Sequence, residues 1–265
     1  MIYLLGDVHG RFDHILPALA GDELPADEPQ AAIFLGDIEP QQDFEVAIRP
    51  LLEAGIEVWW IPGNHDTDKR VYWDRLEGSM HRSIHGRVVN IQGVKLAGLG
   101  GIFRGSIWHP PSEPAFTSYE AFRRANLQGR MRLTKLELCQ LQAVPGPMQD
   151  LQDLTRSGKE LKHMSSIFPD VFHQLCDLEA DILVTHEAPS CHPHGFPEID
   201  VMAQQLGVTR AFHGHHHDRL DYRKFDAEFG FQAHGVGFCG VTRLDGQVVR
   251  HGEFDKQKAA ARGQP

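Results

Sequence analysis

The sequence is poor in cysteine, in basic charge and in long apolar stretches. Its four cysteines (Cys139, Cys176, Cys191 and Cys239) are far apart and form no C-x-x-C pair. That spacing excludes a thiolate zinc ribbon or a small disulfide scaffold, and it favours reduced thiols. No apolar run approaches the roughly eighteen residues of a membrane-spanning helix. The first residues, Met1-Ile2-Tyr3-Leu4-Leu5-Gly6-Asp7, carry no basic segment and only a short apolar one. They do not read as a signal peptide, so a cytoplasmic protein is expected. Lysine and arginine number 26 against 36 acidic residues, a formal net charge of −10. An extended nucleic-acid surface needs clustered cations and is not expected. No G-x-x-x-x-G-K-[ST] stretch is present, which argues against a P-loop nucleotide engine.

Histidine, by contrast, is abundant, with 17 in 265 residues. Where these fall matters more than their number. Short runs rich in Val, Ile, Leu or aromatics read as buried strands: Ile2–Leu5, Ala31–Leu35, Ile56–Ile61, Val94–Leu99, Ile182–Thr185 and Val208–Phe212. Asp13–Leu19 and Phe44–Ala54 carry apolar residues at helical spacing and end near glycine. Alternation of strands and helices predicts an α/β fold. Toward the C-terminus, Phe229–Phe238, Gly240–Leu244 and Gln247–Phe254 read as added antiparallel strands, with Asp245-Gly246 as a hairpin turn.

The segment from about 102 to 176 interrupts the rhythm. It has helical patterns at Ser118–Gln128, Leu133–Ala143 and Phe168–Leu178 with no strand between them. It is expected to be a helical insertion in one domain spanning 1–254, followed by a flexible tail at 255–265.

Five of the six apolar strand runs end on similar chemistry. After the first comes Gly6-Asp7-Val8-His9-Gly10, after the second Gly36-Asp37, and after the third Gly63-Asn64-His65-Asp66. Later strands deliver Thr185-His186 and Gly214-His215-His216-His217. Ligands of open α/β sheets gather outside the carboxyl ends of strands. Asp, Asn and His without cysteine suit Mn, Fe or Zn as oxygen and nitrogen donors. So many donors exceed one tetrahedral ion. They fit two ions about 3.5–4 Å apart sharing a carboxylate.

These blocks, in this order, resemble the calcineurin-like metallophosphoesterase family, and the resemblance spans residues 6 to 217. It implies a four-layered αββα sandwich with the helical insertion over the active site. It implies that Asp7, His9, Asp37 and His217 hold one divalent or mixed-valence ion, and Asp37, Asn64, His186 and His215 the other. By the same resemblance a metal-bridging hydroxide attacks the phosphorus of a phosphoester substrate. His65, oriented by Asp66, protonates the leaving oxygen as general acid, and Asn64 also borders the substrate.

Two branches of the family fit less well. The serine/threonine protein phosphatases continue their second block as G-D-x-V-D-R-G and carry G-N-H-E in the third. Here those blocks run Gly36-Asp37-Ile38-Glu39-Pro40 and Gly63-Asn64-His65-Asp66. The purple acid phosphatases place a tyrosine where Pro40 stands. A small-molecule or nucleotide-type phosphoester is therefore the expected substrate. The alternatives are a bacterial serine/threonine-type protein phosphatase and a catalytically silent metal-binding scaffold.

With the phosphatase arginine absent, Arg104 is the first candidate to grip the phosphate and Arg11 the second. Trp108, Tyr119 and Phe122 could stack a base, although core packing is the commoner role for such residues. Cys191-His192-Pro193-His194 suggests a second metal site, but reads better as a polar loop. Gly235-Val236-Gly237-Phe238-Cys239-Gly240 matches G-x-G-x-x-G, yet strands rather than a helix follow it, so close backbone approach is expected there.

Overall fold

A computed structural model describes residues 1–22, 30–128 and 158–255. Two five-stranded sheets face each other. In the first, β1 (Ile2–Leu5), β2 (Gln30–Phe34) and β3 (Ile56–Trp60) run parallel. In the second, β5 (Val94–Leu99), β6 (Ile182–Thr185), β7 (Arg210–His213) and β8 (Gln232–Gly235) run parallel. Antiparallel strands flank these sets: β4 (Arg87–Ile91) beside β5, and β9 (Val241–Arg243) with β10 (Val248–Arg250) beside β1. The strand orders are β10-β9-β1-β2-β3 and β4-β5-β6-β7-β8.

The apolar strand runs are explained by burial on both faces. Successive side chains alternate between faces. Ile2 and Leu4 enter the layer between the sheets together with Ile33, Ile182, Val184 and Phe212. Tyr3 and Leu5 instead meet Phe34, Val58 and Trp60, under helices that supply Ile15, Leu19, Phe44 and Leu76. On the far side, Leu99, Leu183 and Ala211 pack beneath Phe172 and Leu175 of the helix Pro169–Cys176 and Met202 and Leu206 of Pro197–Leu206. Three apolar layers separate four structural ones, which is the αββα sandwich.

The C-terminal strands need two corrections. The expected strand Phe229–Phe238 shortens to β8, because Asp226–Phe229 closes a helical turn capped by Gly230 at φ 76°. β8 is also parallel to β7, so only β9 and β10 add antiparallel pairing. Strand β4 was not anticipated. Its residues are half-exposed and mixed in polarity, so it carries no apolar run. The β9–β10 turn does use Gly246, at φ 90°.

Within the insertion, residues 119–128 are helical, as is Pro169–Cys176, while the expected helix Leu133–Ala143 lies outside the described residues. Trp108 stands edge-on to Phe103 and Phe172, and Phe122 packs in a small core with Ile107 and Phe168. These aromatics pack against neighbouring side chains. Of the expected tail, Asp255 is buried and accepts the Gly252 amide at 2.8 Å, and the residues after it lie outside the described range. No helix among the described residues is long and apolar enough to cross a membrane. The described cysteines, Cys176, Cys191 and Cys239, are unbridged.

One structural histidine gives the fold a pH signature. His85 Nδ1 accepts the Gly100 amide at 2.9 Å, and burial pushes its pKa down to about 4 from an ordinary 6.5. The unfolded chain therefore takes up this proton first. Its stabilising contribution is full above pH 6.5 and is lost as pH falls toward 4. The melting temperature is expected to drop between about pH 7.5 and about pH 5. His85→Asn, which keeps an acceptor that does not titrate, should drop less over the same interval. An equal drop in the variant would remove His85 from the account.

Candidate metal centre

The parallel strands of both sheets end at one rim. β1 leads into Asp7 and His9, β2 into Asp37, β3 into Asn64 and His65, β6 into His186, and β7 into Gly214 and His215. Glycines let these turns close on one another. A Cβ at Gly63 would stand 2.1 Å from the Asp37 amide nitrogen. Gly36, at φ 100°, has the His186 ring in the same position at 2.4 Å. Larger residues there would push Asp37 and His186 apart.

The backbone is also held in costly conformations. His9, Asp37, His215 and His217 all have positive φ (44°, 48°, 68° and 58°), and only Glu39, Gln92 and Cys239 share this among the described non-glycine residues. Such conformations cost on the order of 1–3 kcal/mol each and persist where surrounding structure enforces them.

The two buried aspartates are used alike. Asp7 accepts the His215 amide on Oδ1 at 3.1 Å, and Asp37 accepts the His65 amide on Oδ1 at 2.7 Å. Each Oδ2 is buried and makes no hydrogen bond. Asp37 Oδ2 lies 3.8 Å from His9 Nε2 and 3.5 Å from His186 Nε2. Asp7 Oδ2 lies 3.9 Å from His217 Nε2. His9 and His217 bring their Nε2 atoms within 3.1 Å of each other, and His186 Nε2 is 3.1 Å from Asn64 Oδ1. Three donor groups result among the described residues: His9, Asp37 and His217; Asp37, His186 and His215; and Glu187, His215 and His216. Asp37 belongs to the first two. Seven sequence-selected side chains thus converge, with Asp7 beside the first group and Asn64 beside the second.

The electrostatics suit cations. Burial pushes the Asp7 carboxyl up to about 6, and the like charge of Asp37 adds to this. Burial opposes ionisation of Asp37 too, but His186 holds its carboxyl well below the usual range. His186 is raised to about 10: burial works against its charge, and the two aspartates outweigh it. The same carboxylates that favour a proton on His186 would favour a cation, and a metal ion bound there would displace that proton. Its Nδ1 donates to Leu35 O at 2.7 Å, which fixes the ring with Nε2 toward the site. Orphaned carboxylate oxygens facing crowded imidazole nitrogens, with no thiolate, are what Mn, Fe or Zn would satisfy.

The other selected residues are sorted by the geometry. His65 stands beside His9, with ring centroids 5.4 Å apart. Its Nδ1 is held by Asp68 Oδ2 at 2.6 Å. Asp66 does not orient it. The Asp66 carboxylate is buried and accepts the amides of Ile38 (2.7 Å), Glu39 (2.8 Å) and Gly63 (2.8 Å). It therefore clamps the second and third blocks together. Burial and the nearby Asp37 charge push it up to about 7, against these three amides. Arg11 is engaged elsewhere, bidentate on Glu253 and over the Phe238 ring. Arg104 is half-buried beside Ser165 (3.4 Å), and its Nε makes no hydrogen bond. Burial lowers its pKa, and Asp68, Asp37 and Glu187 pull the other way, which places it in the field of the site.

Around His215 and His217 the turn is supported from below. His213 is buried, contacting Gly214 O at 3.0 Å and Tyr222 Oη at 3.1 Å. His216 stacks on His192 at 3.8 Å and 13°, and His192 Nε2 is 3.5 Å from Asp218. His216 also lies close to Glu187 and His215. The Cys191–His194 loop thus buttresses the turn. Gly6 backs onto Gly237, where a Cβ would stand 2.1 Å from its carbonyl oxygen, so the G-x-G-x-x-G stretch serves close packing. Sequence reading missed Asp68, Glu39 and Phe238. Asp68 had a usable signal, three residues after His65 on one helical turn. Phe238 lies 5.4 Å from the His9 ring and 5.2 Å from His217 by chain crossing, and had none.

Known proteins share this arrangement of blocks. The family model for calcineurin-like phosphoesterases matches residues 1–219, and the chain belongs to that family. It is a metal-dependent phosphoester hydrolase by that membership. An uncharacterized protein of Haemophilus influenzae is 34% identical over 260 residues, covering 97% of this chain and 100% of that protein. The crystal structure of TT1561 from Thermus thermophilus aligns with a TM-score of 0.44 and 14% identity, over 92% of this chain and 94% of that one.

Proposed function

We propose that the protein hydrolyses a small-molecule or nucleotide-type phosphoester at a dinuclear centre, with His65 as general acid. One observation carries the reading: a single carboxylate, Asp37, is shared by the His9–His217 and His186–His215 donor groups, and its Oδ2 has no other partner. Asp7, His9, Asp37 and His217 would hold one ion, and Asp37, Asn64, His186 and His215 the other. Bound ions supply Lewis acidity to the phosphoester oxygens and activate water for in-line attack.

The remaining work falls to the chain's own groups. Asp68 accepts from His65 Nδ1, so Nε2 faces outward to give or share a proton. Arg104, half-buried in the field of Asp68 and Asp37, would suit a non-bridging phosphate oxygen. The helical segment Gly158–Ser165 meets the His65 turn directly: Thr67 Oγ1 contacts Ser165 Oγ at 2.5 Å and Lys162 O at 3.4 Å. That wall beside the general acid favours a compact substrate over a protein chain.

A substrate panel with Mn²⁺ tests the proposal. Nucleotide-type and other small phosphoesters should turn over with kcat/KM at least about tenfold above a phosphopeptide, a preference of about 1.4 kcal/mol. Preference for the phosphopeptide would support the protein-phosphatase alternative. No turnover of any ester in metal-loaded protein would support the silent scaffold.

A further inference from the structure

The His9 imidazole touches two acidic residues of one turn in different ways. Its Nε2 faces Asp37 Oδ2 and His217 Nε2, inside the donor group. Its Nδ1, on the opposite edge, hydrogen-bonds Glu39 Oε1, which lies outside every donor group found among the described residues. A carboxylate oxygen accepts from an N–H, so in the neutral ring this contact favours the proton on Nδ1 and leaves the Nε2 lone pair facing inward. Metal-ligating imidazoles are commonly fixed in this manner by a carboxylate on their other nitrogen.

We infer that Glu39 is a positioning residue that sets the tautomer and direction of His9 toward its ion; this deepens the metal reading above and rests on it. The backbone supports the assignment independently. Asp37 and Glu39 both adopt positive φ, 48° and 44°, within three consecutive residues. One oxygen of the buried Asp66 binds the amides of both Ile38 and Glu39 and so holds that contorted turn. A residue that merely carried surface charge would need no such restraint. The contact is also sheltered, with the His9 and Glu39 side chains 19% and 18% exposed, so solvent screens it only partly.

Two readouts test the assignment. Side-chain ¹⁵N NMR of metal-free protein, recorded at a pH high enough that the ring is neutral, should show His9 as the Nδ1–H tautomer in wild type, as a mixture in Glu39→Ala, and again as Nδ1–H in Glu39→Gln. Mn²⁺ titration should show one binding step weakened about 10–100-fold in Glu39→Ala. It should be the step that His217→Ala abolishes. The step abolished by His215→Ala should stay within about twofold of wild type. An Nε2–H tautomer in wild type, an unchanged tautomer in Glu39→Ala, or equal changes in both steps would overturn the assignment. A wild-type protein that takes up only one ion would defeat the dinuclear reading instead, while the tautomer measurement would still decide the role of Glu39.

Discussion

Asp37→Ala should abolish both metal sites together. Asp37 is the residue shared by the His9–His217 and His186–His215 donor groups. Its removal also frees the His65 amide, which the same carboxylate binds at 2.7 Å. The loss of several kcal/mol of transition-state charge stabilisation corresponds to roughly a thousandfold in kcat/KM or more. Elemental analysis of purified protein is the direct check. Wild type should carry close to two ions per chain and the variant few. Full retention of one tightly held ion in Asp37→Ala would show that the carboxylate does not bridge. His217→Ala and His215→Ala should each lose one ion and keep the other, which separates a bridging ligand from a terminal one.

His65→Ala should behave in the opposite way. His65 belongs to none of the donor groups among the described residues, so metal content should match wild type. General-acid catalysis contributes about 10²–10⁴-fold, and kcat should fall by that amount on esters with alkyl leaving groups. On 4-nitrophenyl esters, whose leaving group departs without a proton, the fall should be much smaller. Equal losses on both ester types would remove the general-acid role. Asp68→Asn should give a milder version of the same pattern. The His65 and Asp68 side chains are 43% and 56% exposed, and water screens such a pair. Asp66→Asn should differ in kind. Asp66 holds backbone amides rather than the ring, so its loss should lower thermal stability and disturb metal uptake as well as turnover.

These contrasts show which parts of the molecule were legible in the sequence. Most strands that lead to the candidate donors are buried on both faces, so they read as apolar runs, and their positions were plain. Strand β4 is half-exposed and mixed in polarity, so periodicity passed over it. The candidate donors were legible because each follows a strand within a few residues. The partners of those ligands were less so. Asp66 adjoins His65 in sequence, but a tight 3₁₀ turn sends neighbouring side chains in different directions, and the residue three positions on reaches the ring. Glu39 could be seen only as a departure from a family pattern. What gives it a role is a reversal of backbone direction that composition does not announce. Arg11 illustrates the reverse error: a well-placed cation was claimed by Glu253, 242 residues away in sequence.

The rim has a mechanical consequence. Asp7, His9, Asp37 and Asn64 follow strands of one sheet, whereas His186, His215 and His217 follow strands of the other. Both donor groups that contain Asp37 therefore draw from both sheets. Protein hydrogen bonds already cross this seam, from His186 to Leu35 and from the His215 amide to Asp7. Ions held there would act as rivets through the edge of the sandwich, resisting any sliding of one sheet over the other. Their affinity would then add to the free energy of unfolding.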